Sequence, residues 1–74
     1  MVKVENLVKF GKRLREIRKR NKLTQEKLAE KLGFSPNFVG MIERGERNTT
    51  VENLFKIAYA LDVTLSEFFK NIEE

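Results

Sequence analysis

The run from Gln25 to Arg44, QEKLAEKLGFSPNFVGMIER, constrains the fold of this chain more than any other segment. Thr24 stands where a helix N-cap belongs, and Leu28, Ala29 and Leu32 form a short apolar stripe at helical spacing. Gly33 closes that stripe at the position where a helix end favours left-handed backbone. Ser35-Pro36 opens a second helix, because serine caps and proline fits a first turn whose N–H has no partner. Val39 and Ile42 face inward along it, and Gly45 ends it. Two helices joined by so sharp a turn need a small residue at their crossing, a turn residue tolerant of positive φ, and apolar inner faces. Ala29, Gly33 and the set Leu28, Leu32, Phe34, Val39 and Ile42 meet all three demands within one short segment.

The flanking sequence predicts three more helices. Leu7, Phe10, Leu14 and Ile17 recur three and four apart between basic residues, and the pattern stops near Asn21-Lys22. Thr50 is the expected cap of a stripe formed by Val51, Leu54, Ile57, Ala58 and Leu61, although Thr49 with Glu52 has capping-box spacing. Thr64 and Glu67 make a second capping box ahead of Leu65, Phe68, Phe69 and Ile72. Period-two alternation and Asn-Gly or Asp-Gly hairpin signals are absent. The pattern gives one all-α domain of five helices over residues 1–74, with a core from about residue 7 to 72 and frayed ends at 1–5 and 73–74.

Composition then narrows the chemistry. At 74 residues the chain is near the lower limit for a fold held by its own core. With no cysteine and no histidine it has no disulfide and a poor inventory for zinc or for acid–base catalysis. No apolar run matches a signal peptide or a membrane span. The expectation is therefore a cytoplasmic protein, neither enzyme nor cofactor carrier, with no small-molecule ligand and no membrane partner. The net charge of +4 is unevenly spread: residues 1–25 carry +7 and residues 49–74 carry −3. A basic amino-terminal part and an acidic carboxy-terminal part suggest one face turned to a polyanion and one turned away.

The segments LREIRKRNKLTQEKLA, IERGERN and LFKIAYALDVTLSEFF resemble the phage repressor and Cro family of helix-turn-helix proteins, from about Phe10 to Phe69. Within that family the lengths and the ERGERN turn look most like the controller proteins of restriction–modification systems. The resemblance implies a five-helix lambda-repressor-like fold, with the helix-turn-helix at the second and third helices. It also implies a regulator that binds a palindromic operator as a homodimer in the cytoplasm, on the nucleoid. The third helix, Ser35 to Glu43, would lie in the major groove. Ser35, Pro36, Asn37, Gly40, Met41 and Arg44 fall at the family's base-reading positions and on its outward side. Asn37 suits adenine, Arg44 suits guanine or a phosphate, and Met41 suits a thymine methyl. Pro36 departs from the family, which often has a long polar reader there. Thr24, Gln25, Arg47 and Asn48 would contact phosphates, and Arg18 and Glu43 would form a partly buried ion pair between the first and third helices. Gly40, costly inside a helix by up to about 1 kcal/mol, has two explanations at this stage: close approach to DNA or tight helix packing.

Two further surfaces follow. Leu65, Phe68, Phe69 and Ile72 present more apolar area than a short last helix buries, so part of it, with Phe55 and Tyr59, is expected to form a twofold interface. Glu26 and Glu30, four apart on the second helix, match positions at which related phage repressors touch RNA polymerase. The alternative is a protein-interaction module on the same fold, antitoxin-like or regulator-binding, although the chain has no obvious segment outside its helices to serve a partner.

Overall fold

Four threonine and serine hydroxyls set where the later helices begin. The computed structural model describes residues 4–70 and 72. Five helices follow in order: α1 Val4–Arg20, α2 Gln25–Leu32, α3 Pro36–Glu43, α4 Val51–Ala60 and α5 Leu65–Phe68. Thr24, Ser35, Thr50 and Thr64 each accept a hydrogen bond from the backbone N–H three residues on, at 3.0–3.1 Å. Each satisfies a donor that a helix start otherwise leaves free. Thr50, not Thr49, caps α4. The box expected at α5 forms by half: Thr64 accepts from the Glu67 N–H, while the Glu67 carboxylate lies 3.4 Å from Arg20 on α1.

The helix ends share one device. Lys22, Gly33, Gly45 and Asp62 all take the left-handed conformation, with φ between 58° and 75°. The next residue then donates back five positions: Leu23 to Arg18, Phe34 to Ala29, Glu46 to Met41 and Val63 to Ala58. These bonds satisfy carbonyls that the helix leaves open and reverse the chain abruptly. The segment expected to fray at the amino terminus is partly ordered, since α1 already includes Val4 and Glu5. Residues 1–3, 73 and 74 lie outside the described residues.

The core gathers Phe10, Leu14 and Ile17 of α1, Leu28, Ala29 and Leu32 of α2, Val39 and Ile42 of α3, with Ile57, Leu61 and Phe68 from the carboxy-terminal part. Two expectations need correction here. The helix α5 is a single turn, and Phe68 and Ile72 are buried in the protein's own core, not offered to a partner. Phe68 stacks on Phe10 with ring centroids 4.9 Å apart, and Phe69, half-buried, stacks on the same ring at 5.7 Å. Leu65 is also half-buried. Conversely Val51, expected in the inward stripe of α4, is 67% exposed beside Phe55 at 58% and Tyr59 at 90%. The unburied apolar face is thus on α4. Among the described residues no helix is long and apolar enough to cross a membrane.

The crossing of α1 over α3 positions the rest. Gly11 makes it possible: a methyl there would overlap the backbone carbonyls of Ile42 and Glu43. Gly45 repeats the requirement one turn away, where a Cβ would come within 2.8–3.0 Å of Val8. Further along α1, Arg18 meets Glu43, both 7% exposed, in a two-bond fork, Nε to Oε2 at 2.5 Å and Nη2 to Oε1 at 3.1 Å. The remaining guanidinium nitrogen donates to the Leu23 carbonyl at 2.7 Å. Glu43→Ala would leave Arg18 charged, shielded and without its counter-ion. We expect a loss of about 3–5 kcal/mol in denaturant unfolding, the range for breaking one partner of a buried pair. A loss below about 1 kcal/mol would mean the pair behaves as a surface contact.

Candidate nucleic-acid interface

The inner side of α3 is fixed by Val39, Ile42 and Glu43, which are buried. Helical periodicity then turns Asn37, Met41 and Arg44 the other way. Ser35, Pro36, Asn37 and Arg44 are exposed, and Met41 is half-buried. Thr24, Arg47 and Asn48 are exposed at the adjoining helix start and loop, and Gln25 is half-buried. The start of α2 lies against the carboxy-terminal half of α3, where Gln25 reaches Glu43 and the space above Gly40 beside Arg44. Free N–H groups and positive helix ends suit phosphate oxygens, and amide and guanidinium edges suit base edges.

Three of these residues are held by contacts that the sequence does not spell out. The Gln25 side chain donates from Nε2 to Glu43 Oε1 at 3.0 Å, so the carboxylate that pairs with Arg18 also orients the first residue of α2. Asn48 Oδ1 accepts from the Thr49 N–H at 2.9 Å, which stiffens the loop after α3. The Arg47 guanidinium lies 5.6 Å from the centre of the Phe38 ring, and Phe38 meets Phe34 edge to face at 5.2 Å. Arg47 is thereby drawn toward α3 by a cation–π contact.

Gly40 departs from the expectation. It is buried, because the side chains of Gln25 and Arg44 lie over it. A Cβ there would meet Arg44 Nη1 at 3.1 Å and the Gln25 amide at 3.4–3.6 Å, with no backbone among these neighbours. The space above the glycine is therefore not bare. It is a slot occupied by two polar side chains of the same face. Glu46 is a residue the sequence reading missed: its Oε2 accepts from Arg44 Nε at 3.0 Å.

The charge is not segregated as the sequence suggested. α1 meets α3 through Val8, Gly11 and Arg18, while Lys9 and Lys12 gather with Lys70 on another side of α1. Arg13 donates to the Glu67 carbonyl at 2.9 Å, and Arg20 pairs with the Glu67 carboxylate, so basic and acidic ends adjoin. The expected polymerase-contact residues Glu26 and Glu30 are both exposed on α2, and Glu30 sits 3.7 Å from Lys27.

Comparison with known proteins agrees with this arrangement. A helix-turn-helix family model matches residues 14–68. The control protein C.MunI of Mycoplasma sp is 38% identical over 68 residues, covering 90% of this chain and 92% of that protein. The crystal structure of the restriction–modification controller protein C.AhdI from Aeromonas hydrophila superposes with a TM-score of 0.85 at 47% identity, covering 89% of this chain and 96% of that one. The controller protein C.Esp1396I, solved as a tetramer in complex with its natural 35 base-pair operator, superposes with a TM-score of 0.80 at 33% identity, covering 90% of this chain and 88% of that one. With the family pattern running from the middle of α1 to the end of α5, and with likeness to such relatives over nine-tenths of its length, the chain belongs to the helix-turn-helix family.

Proposed function

We propose that this protein is a transcription regulator of the controller type, which binds a palindromic operator in duplex DNA as a homodimer and reads the major groove with α3. The observation that carries this reading is the two-sided character of α3. Its inner side is locked to α1 through Glu43, while Asn37 and Arg44 stand exposed on the outer side. Controller proteins among its relatives, one of them solved on its operator, support the same assignment. In this reading Asn37, Arg44, Met41 and the Ser35-Pro36 start contact bases. Thr24, Gln25, Arg47 and Asn48 contact phosphates. The protein acts in the cytoplasm, on the nucleoid, and performs no catalysis.

Selection of bound duplexes from a random pool should recover a site with twofold symmetry and half-sites about 10 base pairs apart, the spacing of one DNA turn. On that site Asn37→Ala should reduce the operator-to-random affinity ratio by about 1–3 kcal/mol. Arg47→Ala should instead weaken every sequence together and flatten the salt dependence by about one unit in log–log slope. Equal losses on operator and random DNA for Asn37→Ala would remove Asn37 from the reading set.

The dimer surface in this reading is the exposed α4 stripe of Val51, Phe55 and Tyr59, with the half-buried Leu65 and Phe69 as further candidates. Three large apolar side chains in successive turns are the sort of patch that meets its own copy about a twofold axis. Replacing Tyr59 by Glu puts two like charges near that axis, so sedimentation should show monomers at concentrations where the wild type is dimeric. A wild type that sediments as a monomer at high micromolar concentration would contradict the interface itself.

Glu26 and Glu30 provide an activating surface toward RNA polymerase in the same proposal, since both stand exposed on α2 beside the DNA-facing start of that helix. The double change Glu26→Gln, Glu30→Gln should keep or slightly raise operator affinity and abolish stimulation at a promoter just downstream. Stimulation that persists in a variant still bound to its operator would leave Glu26 as a helix-terminus charge and Glu30 as a partner of Lys27.

A further inference from the structure

The turn after α3 carries a carboxylate beside the face proposed to dock a polyanion. Glu46 and Arg44 are paired at 3.0 Å with 54% of each side chain exposed. An exposed pair of this kind adds little to stability. A negative charge beside the duplex also lowers affinity for every sequence alike. Its consequence must therefore lie in what it does to Arg44.

The geometry is specific. A guanidinium offers two hydrogen-bonding edges, one through Nε and Nη2, the other through Nη1 and Nη2. Glu46 engages Nε. At the same time Nη1 lies over Gly40, 3.1 Å from where a Cβ would stand, in the slot that Arg44 shares with Gln25. The side chain is thus held at Nε, with Nη1 resting against α3 above Gly40. Among the described residues the Nη1–Nη2 end donates to no protein acceptor, and that end is the one that pairs bidentately with guanine O6 and N7.

We propose that Glu46 and Gly40 are positioning residues that hold Arg44 for end-on recognition of a base and keep it from becoming a general phosphate contact. The inference rests on α3 being the reading helix. Without Glu46, Arg44 is free to swing to phosphates: binding to all DNA rises, and discrimination falls. With a methyl at position 40, Nη1 must give way from its place against α3, even though alanine is the better helix former.

The experiment uses the best site recovered from the random pool, with random duplex as reference. Glu46→Gln should tighten binding to random DNA, steepen its salt dependence and lower the operator-to-random ratio by about 3- to 10-fold. Gly40→Ala should lower the same ratio without lowering Tm. In an Arg44→Ala background, Glu46→Gln should leave the ratio unchanged, because the residue it positions is gone. If Glu46→Gln strengthens operator and random DNA by the same factor, the glutamate only repels phosphates and the inference is overturned. An equal fall in the ratio with and without Arg44 overturns it too. A pool that yields no preferred sequence with the wild type would be a different failure, that of the reading on which the inference rests.

Discussion

The carboxylate of Glu43 sits where three helices converge. It receives two hydrogen bonds from Arg18 of α1 and one from Gln25 of α2, while its own backbone ends α3. Taking both charges out of water is costly, and a buried pair often adds no more net stability than a well-packed apolar substitute. What it provides is geometry. A planar fork against a carboxylate has one low-energy arrangement, so α1 and α3 acquire a fixed offset that interchangeable apolar contacts would hold less strictly. The third bond extends that constraint to the first residue of α2.

Close backbone approach makes the fork possible. Gly11 lets α1 rest on the carbonyls at the end of α3, and Gly45 lets the chain leave α3 alongside Val8. A larger residue at either point would push the helices apart and lengthen the bonds between Arg18 and Glu43. Interiors are packed too tightly to absorb such shifts. The consequence runs outward: with its inner side pinned, α3 presents Asn37 and Arg44 as a rigid pattern. Rigid placement of polar groups is what allows a wrong base pair to be penalised by an unmet hydrogen bond.

Much of this was legible in the sequence because the signals are local. Thr24, Ser35 and Thr50 cap helices through bonds that span three residues, and Gly33 and Gly45 mark left-handed ends directly. Lys22 and Asp62 adopt the same backbone without being glycine, so only the following apolar residues, Leu23 and Val63, hint at the turn. Gly11 reads from sequence as an isolated helix weakness, because its reason is a carbonyl more than thirty positions away. Periodicity placed Val51 inward and spread the terminal apolar residues outward. In the fold, a single turn of α5 is enough for Phe68 to reach the Phe10 ring, and α4 is left with the open stripe. The arrangement around Gly40 was the least legible, since Gln25, Arg44 and Glu46 meet there only after two helices have packed.

In the proposed complex α3 enters the major groove with Arg44 at a guanine. Methylation protection measures this directly, because dimethyl sulfate modifies guanine N7 in that groove. On the selected operator, the wild type should shield guanine N7 in two symmetric clusters about one helical turn apart. Arg44→Ala should lose one protected guanine in each cluster and retain the others. Salt-sensitive binding that leaves every guanine N7 open to methylation would contradict the account, because it would place the protein on the backbone or in the minor groove.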